Sequence, residues 1–184
     1  STDNTFPSLS YEAPTLDSGT MTSADSVYMN VSSADNLGNH STFVDWNRSL
    51  VLWMRMDDVN QTGEGALVYD NSSYGNNGTA YGDAVQTASG KFGKGFEFDG
   101  SGDYVGVGTS DLFYINNLVT LSAWIKTSAT PSSKTGVVSR LNGAGAPYAG
   151  YELGVFNNNP YFHAGGYYGA PDNNILTGTN VIND

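Results

Sequence analysis

From Ser49 onward the chain is broken into short β-rich runs, each too short for a helix and each closed by turn residues. The runs are SLVLWMRM (49–56), GALVYD (65–70), GTAYGDAVQT (78–87), KGFEFD (94–99), DYVGVG (103–108), VTLSAWIKTS (119–128), TGVVSRL (135–141), YELGVF (151–156) and PYFHAGG (160–166). Between them stand DNSSYGNNG, DGSGD, NGAGAP and NNNP, rich in the residues that favour β-turns. No window keeps a 3.6-residue apolar period over three turns, and only residues 112–115 suit a single helical turn. Many short strands with regular punctuation define an all-β, antiparallel sandwich or barrel.

The first part of the chain is different. SVYMNVSS alternates Val27, Met29 and Val31 with Ser26, Tyr28 and Asn30, which predicts a strand, and STFVDWN (41–47) predicts a second. Two or three strands do not close a sandwich. Residues 1–48 therefore read as a partial immunoglobulin-like segment or linker, and 49–184 as the main domain.

Composition narrows the partners. Hydrophobic residues are 39% and aromatics 12%, enough for a buried core. A net charge of −11 with scattered acids excludes phosphate-backbone binding, which needs clustered Lys and Arg. Cations and neutral sugars suit this surface better. There is no cysteine, so neither disulfides nor thiolate metal sites are available. The longest apolar run, LVLWM, is far short of a membrane span. STDNTFPSLS has no signal-peptide pattern, and a secreted chain after leader removal has such a start too. Asn30, Asn39, Asn47, Asn60, Asn71 and Asn77 open Asn-x-Ser/Thr sequons, all in the first half. They lead us to expect a glycosylated, extracellular or cell-surface protein.

The ordered motifs add a resemblance. LVLWMRMDD, VYDNSSYGNNGTAYGDAV, GKFGKGFEFDGSGDYVGVG and LVTLSAWIKTS follow one another as in the laminin-G-like, concanavalin A-like jelly-roll family. The matching positions are Asp70, Ser72, Gly75, Asn76, Gly78 and Thr79; then Gly93, Gly95, Phe98, Asp99, Gly100, Asp103 and Tyr104; then Ser122, Ala123 and Trp124. The resemblance covers about 49–184 and implies a jelly-roll β-sandwich. STFVDWNRSLVLWMRMDD resembles multidomain archaeal and bacterial surface proteins in which such a jelly roll follows or interrupts an immunoglobulin-like repeat. The family continues beyond the stretch NNILTGTNVIND into further strands. The expectation is thus a piece of a longer chain, with strand donation by a neighbouring molecule as the alternative.

Candidate sites follow from residue chemistry and from the family. In FEFDGSGDYVGVG, Phe96 and Phe98 share one strand face, Gly100 and Gly102 suit a tight hairpin, and Asp99 and Asp103 can cap it. The same oxygens, with Asp57, Asp58, Asp70 and Asn76, are the kind that calcium takes, and the family often holds calcium. The metal candidates are Asp57, Asp70, Asn76, Asp99 and Asp103. A glucanase-type Glu-x-Asp-x-x-Glu strand starts at Glu97 and Asp99 but meets Gly102, so no retaining carboxylate pair forms that way. YFHAGGYYGA resembles a strand of alginate lyases, yet Arg48, Arg55 and Arg140 are not clustered and there is no Gln-Ile-His. His163 reads as a packing residue, and two unplaced histidines support no Ser-His-Asp set. Tyr148, Tyr151, Tyr161, Tyr167 and Tyr168 are either a sugar-stacking surface or cross-strand packing. Trp53 and Trp124 read as core.

Together these features predict a non-catalytic extracellular recognition or adhesion module, binding glycans with a structural calcium ion. The alternatives are a structural subunit of a surface layer or filament, partnered by other surface proteins or by its own copies, and a polysaccharide-degrading enzyme.

Overall fold

The strand-and-turn rhythm is realised as antiparallel sheets throughout. The computed structural model describes residues 8–34, 45, 47–115, 118–141, 150–164 and 175–179. Among these the chain is all-β, apart from one 3₁₀ turn at Asp111–Phe113. It divides into two compact units, Ser1–Ser49 and Leu50–Asp184.

In the first unit β1 (Ser8–Glu12) pairs antiparallel with β2 (Asn30–Ala34), placing Leu9 opposite Ser33 and Tyr11 opposite Val31. The other face is polar: the Ser10 and Ser32 hydroxyls both donate to Glu12 Oε1, at 2.6 and 2.8 Å. Those two bonds hold the Glu12 carboxyl below its ordinary value. The strand expected over 26–33 starts later, at Asn30, and leaves Val27 and Tyr28 exposed. β1 falls where no strand was expected. The second expected strand, 41–47, lies outside the described residues except for Asp45 and Asn47.

The second unit contains two four-stranded sheets and a two-stranded ribbon, an arrangement of β-sandwich character. β3 (Met54–Val59), β4 (Leu67–Asp70), β5 (Gly78–Tyr81) and β8 (Tyr104–Gly106) form one sheet in that order. β6 (Val85–Thr87) pairs with β7 (Gly95–Glu97). The other sheet has the order β12 (Ile175–Thr177), β11 (Asn159–Ala164), β10 (Tyr151–Phe156), β9 (Thr135–Arg140).

Period-2 alternation fixes the faces of the first sheet. Val68 and Ala80 are fully buried, while Tyr69, Tyr81 and Tyr104 stand on the opposite face. Ala66, Ala80 and Ala84 form a small apolar cluster, and Phe96 packs on it. In the second sheet β10 is central and has buried residues on both faces, including Tyr151, Glu152 and Val155. Asn157 and Asn158, both at positive φ, join β10 to β11. Two such residues make the type I′ turn that matches strand twist.

Four features differ from the sequence pattern. The run 78–87 is two strands, because Gly82, at φ 70°, turns the chain between them. The DGSGD turn is not a hairpin: β7 pairs with β6 and β8 with β5, so it links two sheets. Residues 119–128 form no strand, although their composition favours one. Trp124 there is 70% exposed rather than core, its ring edge-on to Phe92 at 5.6 Å with Lys91 over it at 5.4 Å. Trp53 is half-buried, and His163 is buried on β11.

Candidate functional site

Two turns bring three carboxylates together at one end of the first sheet. Asp83 follows the Gly82 turn after β5, while Asp99 and Asp103 bracket the turn between β7 and β8. The Asp83 N–H donates to Asp103 Oδ1 at 2.9 Å, and the Asp99 N–H donates to Asp103 Oδ2 at 2.6 Å. The Ser101 N–H donates to Asp99 Oδ1 at 2.7 Å. Gly82 is required for this approach: a Cβ there would collide with the Asp103 carboxylate and lie 3.0 Å from the Gly102 carbonyl oxygen. One ligand atom from each of the three acids lies within 4.8 Å of the others.

The cluster has an uneven proton affinity. Hydrogen bonding with Asp103 raises the Asp83 carboxyl above its ordinary value, and the negative charges of Asp103 and Asp99 add to this. Asp103 is held low, chiefly by the Asp99 N–H, which with the Asp83 contacts outweighs its desolvation. Three convergent oxygens are the chemistry that a hard cation takes, and this acidic triad can hold a metal ion.

The first sheet also carries an exposed aromatic face. Tyr81 and Tyr104 are directly paired across β5 and β8, stacked with ring centroids 4.7 Å apart and planes 15° from parallel. They are 40% and 54% exposed, and Tyr69, on the same face of β4, is 39% exposed. A Cβ at Gly106 would come within 3.0 Å of the Tyr81 ring and 3.4 Å of the Tyr104 ring, so both rings lean over bare backbone. Asp103 directly precedes Tyr104, and Asp83 stands two residues after Tyr81.

The other metal candidates organise loops instead of joining this cluster. Asp70 is buried and accepts the Trp53 and Ser72 N–H groups on Oδ1, both at 2.8 Å. Its Oδ2 accepts the Ser72 hydroxyl at 2.6 Å and the Asn76 N–H at 2.7 Å. Burial alone would raise its pKa; the Ser72 hydroxyl and the three N–H donors outweigh burial and lower it. Asn76 donates its side-chain amide to the Val51 carbonyl at 2.8 Å. Asp57 accepts the Lys94 N–H at 2.7 Å and pairs with Arg55 at 2.9 Å. Of the five, Asp99 and Asp103 are in the triad, and Asp83 is the member that the sequence pattern missed.

The tyrosine candidates also separate. Tyr151 and Tyr161 are buried, at 6% and 2% exposure, which excludes them from a sugar-stacking surface in this fold. Tyr151 donates to the Phe113 carbonyl at 3.1 Å, and burial raises its phenol pKa. Tyr161 donates to the buried Glu152 at 2.6 Å. Tyr148, Tyr167 and Tyr168 lie outside the described residues, as does Asn39. The sequon residues Asn30, Asn47, Asn60, Asn71 and Asn77 are all exposed. Asn60 and Asn77 use their side-chain oxygens to accept the Leu67 and Asp70 N–H groups.

Comparison with protein-family models, with curated proteins and with solved structures finds no match to this chain.

Proposed function

We propose that this chain is a non-catalytic, extracellular recognition module of laminin-G-like jelly-roll type. In this reading it binds a glycan on the tyrosine face of the first sheet, with calcium on Asp83, Asp99 and Asp103. The observation that carries the reading is the exposed, stacked Tyr81–Tyr104 pair, with Asp103 of the acidic triad next to Tyr104 in the chain. Exposed aromatic rings offer a flat apolar surface that a sugar ring can cover. Carboxylates beside them can hold a cation that in turn takes sugar hydroxyls. A neutral glycan suits this chain better than an acidic one, since the net charge is −11.

A glycan array probed with the protein, once in calcium and once in EDTA, tests this. Binding in calcium that falls by about tenfold or more with Tyr104→Ala, and is lost with EDTA, supports the reading. Binding that survives both changes places the glycan elsewhere, and silence on the array in both conditions overturns glycan binding. A second reading, assembly into a surface layer or filament, is favoured by the unpaired β-rich stretch 118–128.

A further inference from the structure

The stretch from Leu118 to Lys126 has the composition of a strand but no place in a sheet among the described residues. Leu118, Trp124 and Ile125 are 92%, 70% and 37% exposed, a concentration of apolar surface that an unpaired strand ordinarily hides. The segment also has a symmetry of its own. Folded antiparallel onto a second copy about Ser122, it sets Val119 against Ile125 and Leu121 against Ala123 on one face. On the other face Thr120 meets Trp124, Ser122 meets its own counterpart, and Lys126 meets Leu118 beyond them. No charge opposes its like.

Electrostatics point to the same place. Between Asp111 and Glu152 the sequence has no acid at all, yet it holds Lys126, Lys134 and Arg140. In a chain of net charge −11 this stretch brings no carboxylate of its own, so pairing it with its copy sets no two acids of the stretch against each other. From these observations we propose that residues 118–126 are a self-association strand. Two copies pair isologously and antiparallel across Ser122, a closed two-fold contact. The occupant is a second copy of this chain, and the contact is independent of any glycan bound at the tyrosine face.

Sedimentation equilibrium on the full chain tests this, with charge variants at the two-fold position. Ser122 is exposed, so its substitution leaves the sheets intact. The wild type is expected in concentration-dependent monomer–dimer exchange. Ser122→Lys sets two ammonium groups opposite each other and weakens the dimer by about tenfold or more, and Ser122→Glu does the same with carboxylates. An equimolar mixture of the two variants restores dimers, with opposite charges across the axis. A wild type that stays monomeric at every concentration overturns the proposal. So does a dimer indifferent to both variants, or a mixture no more associated than its components.

Discussion

Asp70 is the residue on which the first sheet's loops depend most. Its two oxygens take four hydrogen bonds from Trp53, Ser72 and Asn76, so the segments before β3 and after β4 are tied to one buried carboxylate. Removing it leaves four part-buried donors unsatisfied, and Asp70→Ala should lower stability by about 3 kcal/mol in urea denaturation. Because the folded pKa of Asp70 lies below its unfolded value, its contribution is complete above the ordinary aspartate range. It is lost as pH falls through the lowered pKa. Asp83 has the opposite sign: its folded pKa is raised, so ionising it at neutral pH works against the folded state. Asp83→Asn should therefore raise the melting temperature in EDTA at pH 7. It should also abolish the gain from millimolar calcium, which for a site filled about tenfold over its Kd is roughly 4 °C in the wild type. Differential scanning fluorimetry reads both effects. The capping roles of Asp99 and Asp103 were legible, since the DGSGD turn carries them within five residues. Asp83 was not, because its partner Asp103 lies twenty positions on and Gly82 looked like strand interior.

At the scale of the element, strand composition is written locally, whereas a ladder depends on a distant partner. Runs such as YELGVF and TGVVSRL become β10 and β9 almost residue for residue, bounded by turn chemistry that the sequence states openly. VTLSAWIKTS has equal strand character and stays outside every sheet of the described residues, since nothing local decides what lies beside it. The tyrosines show the same limit. Alternation separates one face of β10 and β11 from the other, but both faces of β10 are covered, so Tyr151 is buried with Tyr161. The exposed aromatic face instead belongs to β4, β5 and β8, where Tyr69, Tyr81 and Tyr104 sit opposite the small buried residues Val68 and Ala80. Turns are the easier case. The Asn157–Asn158 pair holds positive φ at both positions, a conformation that a β-branched side chain resists. Asn158→Val should cost about 1–2 kcal/mol in chemical denaturation. Asn158→Gly, which tolerates φ near 61°, should be close to neutral.

For the molecule as a whole, the two units differ in what they can sustain alone. The second unit has its own buried residues, among them Ala66, Val68, Ala80, Ala84, Phe113, Val155 and Tyr161, and among its described residues ten strands bond to one another in three sheets. Among the described residues of the first unit there is one two-stranded sheet, and all five residues of β1 are exposed. A pair of strands without a covered face is marginal in water. Conformational entropy of about 1–2 kcal/mol per ordered residue must be offset by burial, and β1 and β2 bury little. Residues 50–184 produced alone should therefore unfold cooperatively, with a melting temperature within a few degrees of the full chain's. Residues 1–49 produced alone should show neither a cooperative transition nor protected amides. Circular dichroism melts and hydrogen exchange on the two pieces decide this. If 50–184 proves molten while the full chain is cooperative, the second unit is not an independent folding unit. If both pieces behave as expected, the glycan binding proposed for the tyrosine face needs the second unit alone, and 50–184 should give the same array result as the full chain.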